Sequence, residues 1–285
     1  MQKVFVPLIV ACGLTLPLAA QAPPPNFAPE QLDQLVSRVS LYQDPLLAQI
    51  LTAATFANQI PDAADYAGHH RYLNGDQLAA AIQQDNLPWD PSVVALIPFP
   101  GVLDMMASDI GWTQQLGDAV LADRAGVMDA VQRLRRRAYD YGYLQNNRDI
   151  QVTADPSYIA INPVDPGYYY VPTYDPSIVF ARPRPGFFVG GAISFGPRVW
   201  IGTSFAPWGW SHPAFGWREH SIIIDRHPWE RRWDNRGAYV HPYAEPYRRP
   251  EYRPGYHVEE RHGPAREEHM RGEEHHMSRE GERRR

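Results

Sequence analysis

The sequence predicts an α+β protein: a mainly helical N-terminal domain, a small antiparallel β-rich extension and a largely disordered C-terminal tail. Three observations carry that expectation. Apolar residues recur at helical spacing across residues 30–148. Over residues 149–205 the pattern changes to short β-branched and aromatic runs punctuated by Asp, Asn, Pro and Gly. From residue 206 aliphatic side chains become scarce, and Trp, Tyr, Pro, Arg, Glu and His take over.

The first segment, MQKVFVPLIVACGLTLPLAAQAPPP, has one early positive charge at Lys3, an apolar run to about Ala19, and then small residues. That is the anatomy of a secretory signal, so residues 1–20 read as a leader and 21–29 as a Pro-rich linker. Cleavage near Ala20–Ala22 is the primary expectation, with lipidation at Cys12 within IVAC or an uncleaved anchor as alternatives. Pro7 and Pro17 argue against a permanent span, so no transmembrane helix is expected in the mature chain. Cys12 is the sole cysteine, and its loss with the leader excludes disulfides, a thiol nucleophile and a Cys-based metal site. Lys3 is the sole lysine, so its loss lowers the formal charge of -5 by one unit. Such mild acidity gives no strong nucleic-acid signal.

Within the helical part, Leu32, Leu35, Val36 and Val39 form one stripe, and Leu46, Leu47, Ile50, Leu51 and Ala54 form a second. Leu78, Ala79, Ala81 and Ile82 suggest a further short helix. The longest periodic run covers about 111–141, and Gly126 is a natural place for it to divide. Arg133, Arg135, Arg136 and Arg137 flank its last apolar stripe and read as a solvated face whose stems cover apolar surface, with an anionic partner as the alternative. In the β-rich part, IQV, YIAI and YYYV read as short strands. FFVGGAISFGPRVWIGTSF, from Phe187, reads as another strand pair, either packed on the helices or left as an association surface.

Aspartate–proline pairs recur along the chain. Asp can accept amide hydrogen bonds where a helix begins, and Pro needs no donor in the first turn. Asp44 with Pro45, Asp90 with Pro91, and Asp175 with Pro176 are therefore read as caps or turns, Asp175 retaining ligand contact as an alternative. No nucleophile elbow, phosphate loop or zinc-protease helix motif is present, and no catalytic residues are assigned. Trp208, Trp210 and Trp217, in WGWSHPAFGW, are candidate interaction residues together with Tyr174; their alternative is packing back onto the β region. The segment from Glu245 to Arg285 holds ten arginines and ten glutamates. His257, His262, His269, His275 and His276 lie among them, so weak Zn²⁺, Ni²⁺ or Cu²⁺ capture is conceivable, but the compact spacing of a structural metal site is missing. No cofactor is indicated.

The words LYQDPLLAQILTAA, LPWDPSVVALIPFPGVL, GWTQQLGDAVL, VMDAVQRLRRRA and YYVPTYDPSIVF together resemble the DUF3300 family of uncharacterised bacterial exported or envelope proteins. The resemblance covers about residues 31–182. It implies an exported, envelope-associated bacterial protein and supplies no activity, cofactor or catalytic residue. The expected function is an extracytoplasmic structural or interaction protein, periplasmic, outer-membrane-associated or secreted. Its partner would be an envelope protein, a glycan or peptidoglycan. An envelope hydrolase or carbohydrate-active enzyme using acidic residues is the alternative, and weak metal binding by the His-rich tail is a third.

Overall fold

Helix α2 (Asp44–Ala54) is apolar on nearly every side and is covered by the described elements around it. All of its residues except Pro45 are buried, as a helix without a polar face requires. The computed structural model describes residues 22–183 and 191–239. These lie within one unit, Met1–Arg248; a second, Arg249–Arg285, lies wholly outside the described residues, as does the expected leader.

Helix α1 (Pro29–Val36) buries Leu32, Leu35 and Val36. After α2, a 3-10 turn at Ala57–Gln59 leads into α3 (Ile60–His69), followed by α4 (Gly75–Asp85) and the single turn α5 (Pro91–Val94). Helices α6 (Pro100–Ser108), α7 (Ile110–Ala122) and α8 (Arg124–Asp140) complete the helical part. The long periodic run does divide, but at Asp123 and not at Gly126. The Asp123 carboxylate accepts the Gly126 amide at 2.9 Å and so starts α8. Gly126 is thus part of the new first turn.

Three small antiparallel sheets follow. Strands β1 (Ile150–Ala154) and β2 (Ile159–Pro163) pair with Val152 opposite Ile161. Their inward residues Ile150, Val152, Ile159 and Ile161 cover a second, smaller core with Leu41, Ala138, Leu144 and Val179. Strand β3 (Tyr168–Tyr174) is followed by the short helix α9 (Pro176–Val179) and pairs with β4 (Ile193–Trp200), with a bulge between Tyr170 and Pro172. The sequence from Phe187 therefore contributes one strand to this ribbon, while residues 184–190 lie outside the described part. Strands β5 (Ala214–Gly216), β6 (Ser221–Ile224) and β7 (His227–Pro228) form the third sheet.

The boundary drawn at residue 206 is not a structural one. Phe205, Trp210, Trp217, Ile222, Ile224 and Trp229 are all buried in the main core with the helices. Aliphatic counting misses this segment because its apolar area is carried by a few large aromatic rings. Only the part from residue 240 onward lies outside the described residues.

Helices α2 and α7 approach closely at Gly117. A methyl group there would overlap the Ala54 carbonyl and press on the Thr55 backbone, neither of which can rotate away. Gly117→Ala is therefore expected to destabilise the domain by about 1–3 kcal/mol despite alanine's higher helix propensity. A urea denaturation midpoint equal to or above that of the native chain would show that the helices can separate freely.

Candidate functional site

Arg135 lies on the face of α8 that buries Val131 and Ala138, four residues after the first and three before the second. Its side chain is fully buried, unlike the solvated arginine face expected around it. The guanidinium donates from Nε to Ser40 O at 2.7 Å and from Nη2 to Tyr42 O at 2.8 Å. Its Nη1 donates to Asp44 Oδ1 at 2.5 Å and to Ile159 O at 2.8 Å. The Trp217 ring lies 5.0 Å from the guanidinium carbon. Neighbouring arginines serve the surface: Arg133 and Arg137 pair with Asp33, and Arg136 donates to Asp155 O.

Asp44 is not the cap of α2. Gln43 holds that position, and the Asp44 side chain makes no capping bond. Its carboxylate instead receives Arg135 and the Ile161 amide on Oδ1, the latter at 3.2 Å, and the Trp217 indole on Oδ2 at 2.9 Å. Four separate parts of the chain therefore meet here: the start of α2, α8, β2 and the residue after β5. Gln132 completes the closure by donating to Ile159 O and accepting from Ile159 N. Those bonds occupy the outer edge of β2 that would otherwise be open to another strand.

Above the pair lies a cleft of about 320 Å³, with Asp44 on its floor and Tyr158, Asn162, Phe215, Arg218 and Glu219 around it. Phe215 stacks on Trp217 with ring centroids 4.2 Å apart. Both oxygens of Asp44 are already engaged, and a carboxylate held by an arginine, an amide and an indole is fixed as an acceptor. Its chemistry here is that of a clamp.

The other Asp-Pro words fold as local turns. Ser92 donates to Asp90 Oδ1 from its amide at 2.9 Å and its hydroxyl at 2.6 Å, and Pro91 opens α5. Ser177 treats Asp175 identically, at 2.8 and 2.7 Å, and Pro176 opens α9. Ser157 repeats the amide bond to Asp155 at 2.8 Å. Environment separates the members. Asp175 is exposed, and the Ser177 hydroxyl and amide hold its carboxyl below the usual range. Burial pushes Asp90 up to about 6, opposed by the Ser92 bonds and the Arg231 charge. Asp90 and Asp175 share no partner.

The aromatic candidates are mostly internal. Trp210 donates to Ala95 O at 2.9 Å and sits among Phe99 and Tyr169, while Trp217 is part of the clamp. Trp208 is half-buried beside Phe205. The Tyr174 hydroxyl donates to Ser37 O at 2.8 Å and accepts from Leu41 N, and burial pushes its pKa upward. These contacts make Trp210, Trp217 and Tyr174 internal struts, because each polar tip finds its partner inside the fold. Among the described residues no group of three or more His, Cys, Asp or Glu is placed to hold a metal ion. The five tail histidines lie outside them. No helix among the described residues is long and apolar enough to cross a membrane.

The sequence pattern put Arg135 on a solvated face and gave no sign of Gln132, Gln43 or Gln49. Gln49 is fully buried and donates to Gly209 O at 2.8 Å, and Gln43 accepts from Tyr170 N at 2.9 Å. The available signal was a polar residue at a buried helical position, most plainly at Arg135.

A helical domain closed by its own aromatic segment over a buried ion pair is the class of protein that this fold defines. The chain belongs to the DUF3300 family: the family model described as "Protein of unknown function (DUF3300)" matches residues 28–242. It is 32% identical over 211 residues to the "Uncharacterized protein YacH" of Escherichia coli (strain K12), covering 60% of this chain and 34% of that protein. The chain thus spans about a third of that relative's length. No solved structure matches it. The family match runs well past residue 182, in keeping with the aromatic segment being a part of the domain.

The Asp90 environment sets a pH dependence. Its carboxyl holds a proton more tightly in the folded state than in the unfolded chain, where Asp titrates near 3.9. The cost of charging it is fully present only well above pH 6 and is relieved as pH falls through 6 towards 4. Asp90→Asn keeps an acceptor for the cap and removes the charge. It should raise stability by roughly 1–3 kcal/mol at about pH 7.5, and that advantage should vanish by about pH 4.5. Urea titrations of both proteins at the two pH values measure this; an unchanged difference would remove Asp90 as the titrating group.

Proposed function

We propose that this chain is an exported structural or interaction protein of the bacterial cell envelope, in which the DUF3300 domain is a rigid base for the Arg/Glu/His-rich segment beyond it. The observation that carries this reading is how the aromatic segment is fastened. Arg124 donates to Trp229 O and Arg231 O at 2.8 and 2.7 Å, and Arg231 donates to Thr55 O at 2.8 Å. The Trp233 amide donates to Leu121 O at 3.0 Å. Part-buried main-chain carbonyls are thus held by charged donors, which are stronger than neutral ones. Ala22 is held here as well, since the Trp233 indole donates to its carbonyl at 2.8 Å.

Export is supported by the leader-like composition of residues 1–20. An interaction role is supported by the engagement of the prominent carboxylates in clamps and turns, together with a terminal segment rich in both charges and poor in aliphatic residues. A partner in this reading is an envelope protein or glycan.

In-cell crosslinking of the full chain and of a chain ending at Tyr239 tests the proposal. Deletion from residue 206 is unsuitable, because it strips Trp210, Trp217 and Trp229 from the core. The shorter chain should remain folded, fractionate differently with the envelope and lose specific crosslinked partners. Identical fractionation and identical crosslinks would remove the terminal segment from the function.

A further inference from the structure

We propose that the outer face of the β3–β4 ribbon binds an extended saccharide chain. Tyr168 lies opposite Trp200 and Tyr170 lies opposite Arg198, and directly paired residues share one face of an antiparallel ribbon. Successive members on one strand are about 7 Å apart. The other face carries Tyr169 and Val199, which pack into the main core. The ribbon is therefore anchored on one side and presents a row of two tyrosines, a tryptophan and an arginine on the other.

Trp200 is the most exposed of the eight tryptophans, at 41%. It is nonetheless held firmly. Its benzo ring rests against Gly202, where any side chain would overlap it, and against Gly75, whose φ of +50° also favours glycine. Beside this seat the Ser204 hydroxyl donates to Asp76. At the other end of the row, Arg198 lies over Tyr168 at 4.5 Å and borders an open cleft of about 460 Å³ with Arg148, Asp149, Asp165 and Tyr170.

This mixture fits a pyranose chain. Aromatic rings accept the C–H faces of sugar rings, while carboxylates and an arginine bond their hydroxyl groups. Arg148 and Arg198 balance Asp149 and Asp165, so the cleft offers no net positive charge to a phosphate-rich polyanion, and the alternation of rings with charges suits a partner that is itself apolar on its faces and polar at its edges. The proposal rests on the envelope reading only for where such a chain is met. It concerns the folded domain and not the segment beyond Tyr239.

The test uses purified full chain labelled with ¹⁵N-tryptophan, titrated with a β-1,4-linked N-acetylglucosamine trimer and with cellotriose. Assignment of the Trp200 indole comes from the W200F spectrum. Binding of either trisaccharide should shift that indole saturably, and W200A should weaken binding roughly tenfold, the effect of losing one contact of about 1.4 kcal/mol. The wild-type titration stands even where a variant folds poorly. No Trp200 shift at the solubility limit of both sugars, or shifts confined to other indoles, would overturn the proposal. Loss of crosslinked partners on truncation at Tyr239 leaves this result untouched, so the two proposals fail separately.

Discussion

The fold depends on one buried charge being completely answered. Placing a guanidinium in a protein core is costly unless its donors are met, and an unpaired carboxylate beside it would be equally so. Arg135 finds Ser40, Tyr42, Ile159 and Asp44, and Asp44 finds Ile161 and Trp217 as well. These partners come from parts of the chain up to 173 residues apart. A pair of this kind contributes modestly to net stability, but its satisfaction requires one arrangement of helices, hairpin and aromatic segment. Its value lies in specifying that arrangement.

The same logic extends along the aromatic segment. Gln49 donates to Gly209 O, Ala95 O receives the Trp210 indole, Arg124 grips the Trp229 carbonyl, and Arg231 grips that of Thr55 just after α2. Each buried ring brings a polar tip or an adjacent carbonyl that must be matched inside the core. The helices are therefore only part of a domain, and the chain from Phe205 to Tyr239 supplies a substantial share of its wall. The β3–β4 face is turned outward, its rings and charges arranged by the same ribbon that buries Tyr169.

Much of the architecture was legible in the sequence. The stripe at Leu46–Ala54 and most of that at Leu32–Val39 do form buried helices, with Val39 buried in the turn after α1, and YIAI and YYYV supply strand residues, because periodicity reports local burial directly. The fate of Asp44 was not legible. Asp44 and Asp90 stand in nearly the same local words, yet one meets Arg135 from 91 residues away and the other meets its own Ser92. Local sequence offers a cap to both; only tertiary contacts distinguish them. The aromatic segment was misjudged for a different reason: a few tryptophans bury as much surface as a longer aliphatic stretch, so average polarity conceals a core. Arg135 was within reach, since its spacing from Val131 and Ala138 places it on the buried face.

The Arg135–Asp44 pair should make helices, β1–β2 hairpin and aromatic segment unfold together. The most direct measurement is urea unfolding of the native chain and of R135M, followed in parallel by far-ultraviolet circular dichroism and by exchange of the Trp217 indole proton. The native chain should show coincident transitions. In R135M the apolar stem is retained but Asp44 loses its counter-charge, and the indole should exchange at urea concentrations where the helices persist. Coincident transitions in R135M, at a midpoint close to that of the native chain, would contradict the account.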